Sequence, residues 1–392
     1  MQRNLEKYIH NDLKTKMVLL GGPRQVGKTT LAKNIGENYF DKSFKYYNWD
    51  FAKDKKEIKA SQIPADTKLI IYDEIHKYRG WKNFLKGMYD TYKDTTKFIA
   101  AGSARLNLYR KGGDSLLGRY HYYRLHPLSL AEVLEIDNSF DDLSIDLKFH
   151  NPNPKNQQTI EELFKFGGFP EIFLEKSEQN LRRWHSERKE RLIKEDIRDI
   201  SLVKDVSILQ NLSEMLPSRV GSLLSMNTLS QDLQISFKTI RHWIEVFENF
   251  YYAYRIYPYA SKKIKSLKKM GKLYLWDWSE VEDTGARYEN IIASHLLKYA
   301  HFLKDNLGYN AEVNFVRDLE EREIDFMVSI DQKPLFAVEA KYGQKEVSRE
   351  LLYLKKALGL EKVFVVVMEP DVDYLEQGVR IISASKFLTA LF

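Results

Sequence analysis

An α/β protein with two unlike α/β units joined by a largely helical middle is the fold class that the sequence predicts, on three observations. From Lys16 to Leu134, apolar strand-like runs (MVLLGG, KYYNW, LIIYDE, KFIAAGS) alternate with helical patterns (TLAKNIGENYF, FLKGMYDTY). Such alternation marks a parallel sheet wrapped by helices. Residues 160 to 250 carry helical periodicity, and the stretch that follows Trp278 reads helix, strand, strand, helix, strand, a second and smaller α/β unit.

Composition bounds the rest. At 392 residues the chain has room for two or three domains of about 150 residues each. The longest uninterrupted apolar run, Val363 to Met368, is far short of the roughly 20 residues that cross a bilayer, so no membrane partner is expected. The N-terminal MQRNLEKYIH has no apolar stretch of the secretory kind, and a cytoplasmic location is expected. Without cysteine there are no disulfides and no thiolate zinc sites, which leaves oxygen or histidine ligands and magnesium-type chemistry. A net charge of +6 permits contact with nucleic acid without requiring it.

Along the chain, residues 136 to 159 turn polar, with Pro152 and Pro154 opposing a long helix, and mark a boundary or a long surface loop. The charged stretch LRRWHSERKERLIKEDIRDI has too few apolar positions for a buried helix and is expected to lie across a surface. The alternating runs YYAYRIYPYA and KLYLWDW, separated by lysines, predict a hairpin with a basic tip.

The strongest chemical signal is Gly22-Pro23-Arg24-Gln25-Val26-Gly27-Lys28-Thr29, a P-loop between an apolar strand and a helix that opens with Thr29 and Thr30. Its glycines let successive backbone N–H groups turn toward phosphate oxygens at a helix N-terminus. Lys28 would reach the β- and γ-phosphates of ATP, and Thr29 would ligate Mg2+. The strand Leu69 to Asp73 ends in adjacent carboxylates, of which Asp73 would hold the metal through water and Glu74 would orient the attacking water. Ser103, after the strand Lys97 to Ala101, is the candidate sensor of the γ-phosphate. Arg119 is the candidate cation for the transition state, and if it acts in trans the protein must be a homo-oligomer.

These motifs, with Gly102-Ser103, Leu125-His126-Pro127-Leu128-Ser129 and Gly167-Gly168-Phe169-Pro170-Glu171, resemble the AAA-type ATPases of bacteria and archaea that carry a C-terminal domain of unknown function. The resemblance covers nearly the whole chain. It implies an ATPase core at 1–135, a linker and helical lid at 136–215, a winged-helix-like domain at 216–278, and a restriction-endonuclease-like domain at 279–392.

Two further regions bear on partners. Residues 227 to 249 read as two short helices with a turn at Gln234 to Ser236 and Ser236 as the cap of the second. Leu229, Leu233, Ile240, Ile244 and Phe247 take core positions, leaving Lys238, Thr239, Arg241 and His242 exposed to meet DNA. Lys262, Lys263, Lys265, Lys268, Lys269 and Lys272 follow where a wing would lie, although a solvated hairpin tip explains them equally well.

Near the C-terminus, EIDFMVSI and LFAVEAK read as two strands joined by a tight turn. Glu339 and Lys341 share a face, and Asp325 aligns with either only through an odd loop or a bulge. The arrangement resembles the PD-(D/E)XK nuclease centre, with isoleucine in place of the proline before Asp325. The resemblance implies Mg2+, or Mn2+ in its place, on Asp325 and Glu339, with Lys341 positioning water and Glu289 at a further acidic position. Two functions are therefore expected: an ATP-driven enzyme acting on DNA, or an ATP-gated module whose nuclease-like domain only grips a partner. A chaperone-like ATPase is the third reading.

Overall fold

The computed structural model describes residues 2–102, 116–138, 140, 145–150, 153–197, 206–259, 270–343 and 346–392, with the side chains of 195–197 excepted. The chain divides into two compact units, Met1–His126 and Pro127–Phe392, where the sequence suggested four segments.

In the first unit, five parallel strands run in the order β2-β3-β4-β1-β5: β1 (Met17–Gly21), β2 (Phe44–Asn48), β3 (Leu69–Asp73), β4 (Lys97–Ala101) and β5 (Tyr120–Arg124). Among the described residues of this unit, four α-helices accompany the sheet: α1 (Leu5–Leu13), α2 (Lys28–Tyr39), α3 (Ala52–Ala60) and α4 (Trp81–Tyr92). Every residue of β1 and β3 is buried, as continuous apolar runs demand when helices cover both faces of a parallel sheet. Tyr72, Trp81, Leu85, Met88 and Phe98 form much of one core, with Trp81, Leu85 and Met88 as the buried side of α4. The registers Leu20↔Ala101 and Asp73↔Ala101 bring the C-terminal ends of β1, β3 and β4 to one edge. Ligands of open α/β sheets bind at such an edge, where the strand order reverses.

The second unit begins with α5 (Leu130–Val133), α6 (Pro154–Phe166), α7 (Pro170–Glu175), α8 (Glu178–Arg191), α9 (Val206–Met215), α10 (Met226–Asp232) and α11 (Phe237–Asn249). Pro154, read in the sequence as opposing a helix, instead opens one: it occupies the first turn of α6, where a missing N–H costs nothing, with Asn153 as the cap. In α8 Trp184 is the only buried side chain, in keeping with a helix lying across a surface. The sheet that follows has eight strands in the order β12-β13-β11-β10-β9-β8-β6-β7. These are β6 (Ala253–Pro258), β7 (Lys272–Leu275), β8 (Ala311–Arg317), β9 (Glu323–Ile330), β10 (Lys333–Lys341), β11 (Val363–Val367), β12 (Asp373–Glu376) and β13 (Val379–Ser383). Helix α12 (Thr284–Asp305) packs on β8, β9 and β10, with α13 (Arg349–Leu358) and α14 (Ala384–Phe387) completing the unit.

Three features differ from expectation. The strands β8 and β12 escape the sequence pattern because β8 is interrupted by Glu312 and Asn314 and β12 is an exposed edge. The hairpin β6–β7 does form, but β6 also pairs with β8 through Tyr257↔Asn314 and Pro258↔Phe315. Strands β6 and β7 therefore share one sheet with the C-terminal segment, which satisfies a strand edge that a free wing would expose.

Candidate functional site

The P-loop sits at the shared strand edge of the first unit. Gly22 has φ +146 and Gly27 φ +97, both in the region that favours glycine. A Cβ on Gly22 would lie 2.4 Å from the Leu125 carbonyl oxygen, which is backbone and cannot step aside. We expect Gly22→Ala to abolish nucleotide binding and lower the unfolding temperature; unchanged affinity for a fluorescent ATP analogue would contradict this. The Lys28 ammonium donates to the carbonyls of Gly22 (3.1 Å) and Pro23 (2.5 Å), folded back over its own loop. Arg3, which the sequence reading did not single out, is buried and donates to the carbonyls of Val26 (3.2 Å) and His126, tying the far side of the loop to the end of β5.

Thr29 and Asp73, 44 residues apart, meet here: the Thr29 hydroxyl donates to Asp73 Oδ2 at 2.5 Å. The same oxygen accepts from the Tyr46 hydroxyl at 3.0 Å. Burial, with the Asp73 charge beside it, pushes the Tyr46 phenol far above its ordinary value, so it stays a donor. Glu74 adopts φ +54 directly after β3, and its Oε2 lies 3.2 Å from the Lys77 ammonium, which in turn pairs with Asp50 at 2.5 Å. A hydroxyl and a carboxylate in direct contact, beside a turn whose glycines leave room for an anion, are the donor set that a magnesium nucleotide needs; Thr29 and Asp73 would hold the metal and the P-loop N–H groups the phosphates.

Arg119 lies at the other end of the sheet. It precedes β5, its carbonyl accepts from Met17 N at the start of β1, and its guanidinium grips Asp90 through two bonds of 2.7 and 3.0 Å. From that end of the sheet the role read for it from the sequence would be open to it only in trans. Ser103 lies outside the described residues.

In the second unit, β9 and β10 pair with Lys333↔Ile330 and Pro334↔Ser329, and then, after a bulge between Pro334 and Phe336, with Val338↔Phe326. That bulge is the one-residue slip needed to set Asp325 beside Glu339, and Asp325 Oδ2 accepts from Ala340 N at 2.9 Å. Lys341 pairs with Glu339 at 2.9 Å. Glu289, on α12, joins the group, but so does Lys272, the first residue of β7. The Lys272 ammonium lies 2.5 Å from Glu323, 3.2 Å from Glu289 and 3.7 Å from Asp325, with its side chain 5% exposed. Tyr274 donates to Glu289 at 2.6 Å. The carboxylates expected to bind a metal are thus held by an amine, and among the described residues no group of three or more His, Asp or Glu side chains is arranged to take a metal ion.

Burial, reinforced by the Asp325 charge, pushes the Glu339 carboxyl up to about 7, and burial with Asp325 does the same to Glu289. Such a carboxyl keeps its proton in the folded state after the unfolded chain has released it. Its contribution to stability is therefore full below the unfolded value of 4.5 and is lost as pH rises to about 7. Glu339→Gln should then stabilise the protein by on the order of 2 kcal/mol at pH 8 and by much less at pH 5. Calorimetry that found the same increment at both pH values would refute the assignment.

Three segments of the chain match known family models. Residues 14–134 match a model described as an AAA domain. The first unit is an AAA-type P-loop domain. Residues 157–280 and 284–387 match two domains of unknown function (DUF8612 and DUF4143). Over nearly the full length the chain is 25% identical to the uncharacterized protein MJ1544 of Methanocaldococcus jannaschii, covering 90% of this chain and 82% of that protein. It is 24% identical to MJ1637 of the same organism (95% and 85%) and 20% identical to Rv2008c of Mycobacterium tuberculosis (95% and 81%). Among solved structures, AMPPCP-bound DnaA from Aquifex aeolicus aligns at 16% identity and a TM-score of 0.29 over 62% of this chain and 86% of that one. The Thermotoga maritima RuvB Holliday junction branch migration motor aligns at 16% and 0.31 over 65% and 89%. At these scores the structural likenesses carry no argument about activity.

Beyond the AAA-type domain, α10 and α11 form the helix pair read from the sequence. Ser236 caps α11 by accepting from Thr239 N at 3.1 Å, and Ile240, Trp243, Ile244 and Phe247 are buried. Lys238, Arg241 and His242 are exposed, Arg241 pairing with Glu245 on its own helix. Of the lysine cluster only Lys272 lies within the described residues, and it is buried rather than displayed on a wing. No helix among the described residues is long and apolar enough to cross a membrane.

Proposed function

We propose that the AAA-type domain binds ATP with magnesium and hydrolyses it. The observation that carries this reading is the 2.5 Å contact of Thr29 with Asp73 at the mouth of the P-loop, with Glu74 the next residue along. Lys28 releases the Gly22 and Pro23 carbonyls and moves its charge to the phosphates. Tyr46 fixes the rotamer of Asp73. Glu74, once free of Lys77, orients and deprotonates the attacking water. Bound magnesium supplies neutralisation of phosphate charge. Arg119 serves a neighbouring copy, after exchanging Asp90 for that copy's nucleotide.

The partner we propose is DNA, met by the exposed start of α11, where Lys238, Arg241 and His242 stand clear of the core. For the C-terminal unit the gripping role is favoured over cleavage, because Lys272 occupies the centre of the carboxylates that cleavage would need. Phosphate release by the full chain, with and without duplex DNA, tests both parts. Lys238→Glu with Arg241→Glu should leave basal turnover intact and remove the DNA-dependent increment. A turnover indifferent to DNA removes the DNA partner, and an absence of turnover reduces the domain to nucleotide binding.

A further inference from the structure

We infer that the C-terminal carboxylate cluster is a cation site whose cation is built into the chain: the Lys272 ammonium takes the place of a divalent metal among Glu289, Glu323 and Asp325. The inference deepens the non-cleaving reading of this unit and is independent of the ATP reading.

Three observations support it. The ammonium makes ion pairs with three carboxylates from two elements, α12 and β9, at 3.2, 2.5 and 3.7 Å, which is the convergence a metal would otherwise impose. Its backbone is fixed on both sides, by Ile256↔Lys272 in the hairpin and by a bridge to Leu223, so the amine is delivered by a rigid strand rather than by a loop. Gly221, at φ +76 and bonded through its N–H to the Leu273 carbonyl at 2.9 Å, lies so close that a Cβ on it would be 3.1 Å from Glu289 Oε2. The segment that bridges to β7 thereby holds Glu289 against the amine.

Charge explains why one lysine suffices. Glu289, Glu323, Asp325 and Glu339 face Lys272, Lys341 and Arg317, the last pairing with Glu323 at 3.1 Å, so four carboxylates meet three cations. A dication added beside Lys272 would meet a full positive charge at a few ångströms, which disfavours it. With Lys272 removed, four carboxylates face two cations, a net of two negative charges that one divalent ion would balance. Glu339 Oε2, buried and without a hydrogen-bond partner among the described residues, is a further oxygen that such an ion could take.

The test measures Mn2+ binding by the free-ion electron paramagnetic resonance signal, on the full chain without nucleotide. Asp73→Asn is carried throughout to silence the P-loop site. We expect no Mn2+ bound below millimolar concentration in that background, one equivalent gained on Lys272→Met, and that equivalent lost again on further Asp325→Asn. Tight Mn2+ in the background chain that disappears on Asp325→Asn would overturn the inference, whether or not Lys272→Met folds. A folded Lys272→Met chain that binds no Mn2+ would overturn it as well. Nicking of supercoiled DNA in Mn2+ is scored alongside: Mn2+ bound by the background chain without nicking removes the lysine assignment alone, whereas nicking removes the non-cleaving reading too.

Discussion

Glu74→Gln should lower the rate of ATP hydrolysis by about 10²–10³-fold while leaving ATP affinity within a few-fold of the wild type. The isosteric amide keeps the left-handed turn after β3 and leaves Thr29, Asp73 and the P-loop untouched, so only the ability to take a proton from water is lost. Lys77 offers an internal comparison. It pairs with Glu74 at 3.2 Å and Asp50 at 2.5 Å, and burial of its amine is outweighed by these acids, which raise its basicity. A residue that merely restrains the general base should, when replaced by Met, alter kcat by far less than Glu74→Gln does. Turnover unaffected by Glu74→Gln would move the base elsewhere and would undo the proposed reading of the β3 edge.

The largest effect on stability is expected at Lys298. Its ammonium, 4% exposed on α12, pairs with the fully buried Glu132 of α5 and donates to Ser129 Oγ at 2.9 Å. Glu132 also accepts from Ser129 N, completing the capping box of that short helix. Beside them His295 is held neutral: burial lowers it to about 4, its Nδ1 bonds the Ile291 carbonyl, and Nε2 therefore accepts from Leu130 N at 3.0 Å. Lys298→Met removes the ammonium paired with a fully buried carboxylate, and removing one partner of such a pair costs about 3–5 kcal/mol. Pairing Lys298→Met with Glu132→Gln, which keeps the cap acceptor and removes the stranded charge, should recover most of that loss. Urea unfolding of the single and double variants measures both quantities; a single variant within 1 kcal/mol of wild type, allowing about that error, would show that water reaches the pair.

How much of this was legible in the sequence depends on how local each signal is. The P-loop, the acidic end of β3, the helix pair α10–α11 with its Ser236 cap, and the hairpin β9–β10 were all readable. Each is a contiguous run whose periodicity, glycine placement or capping residue reports its own conformation. Even the need for either an odd loop or a bulge between β9 and β10 followed from the alternation of side chains along a strand, and the structure has the bulge.

The sequence by itself therefore determined the fold class and located the candidate nucleotide edge, because strand, turn and helix N-terminus lie within one stretch of chain. What only the tertiary structure decided is which distant groups converge. Arg3 reaches the P-loop from before α1, Tyr46 reaches Asp73 across a strand pair, and β6–β7 joins the sheet of residues that follow it by tens of positions. Above all, Lys272 looked like one more lysine of an exposed run, yet strand pairing turns it inward among Glu289, Glu323 and Asp325. No local pattern encodes that outcome, since the free energy that keeps an ammonium buried comes from carboxylates supplied by other elements.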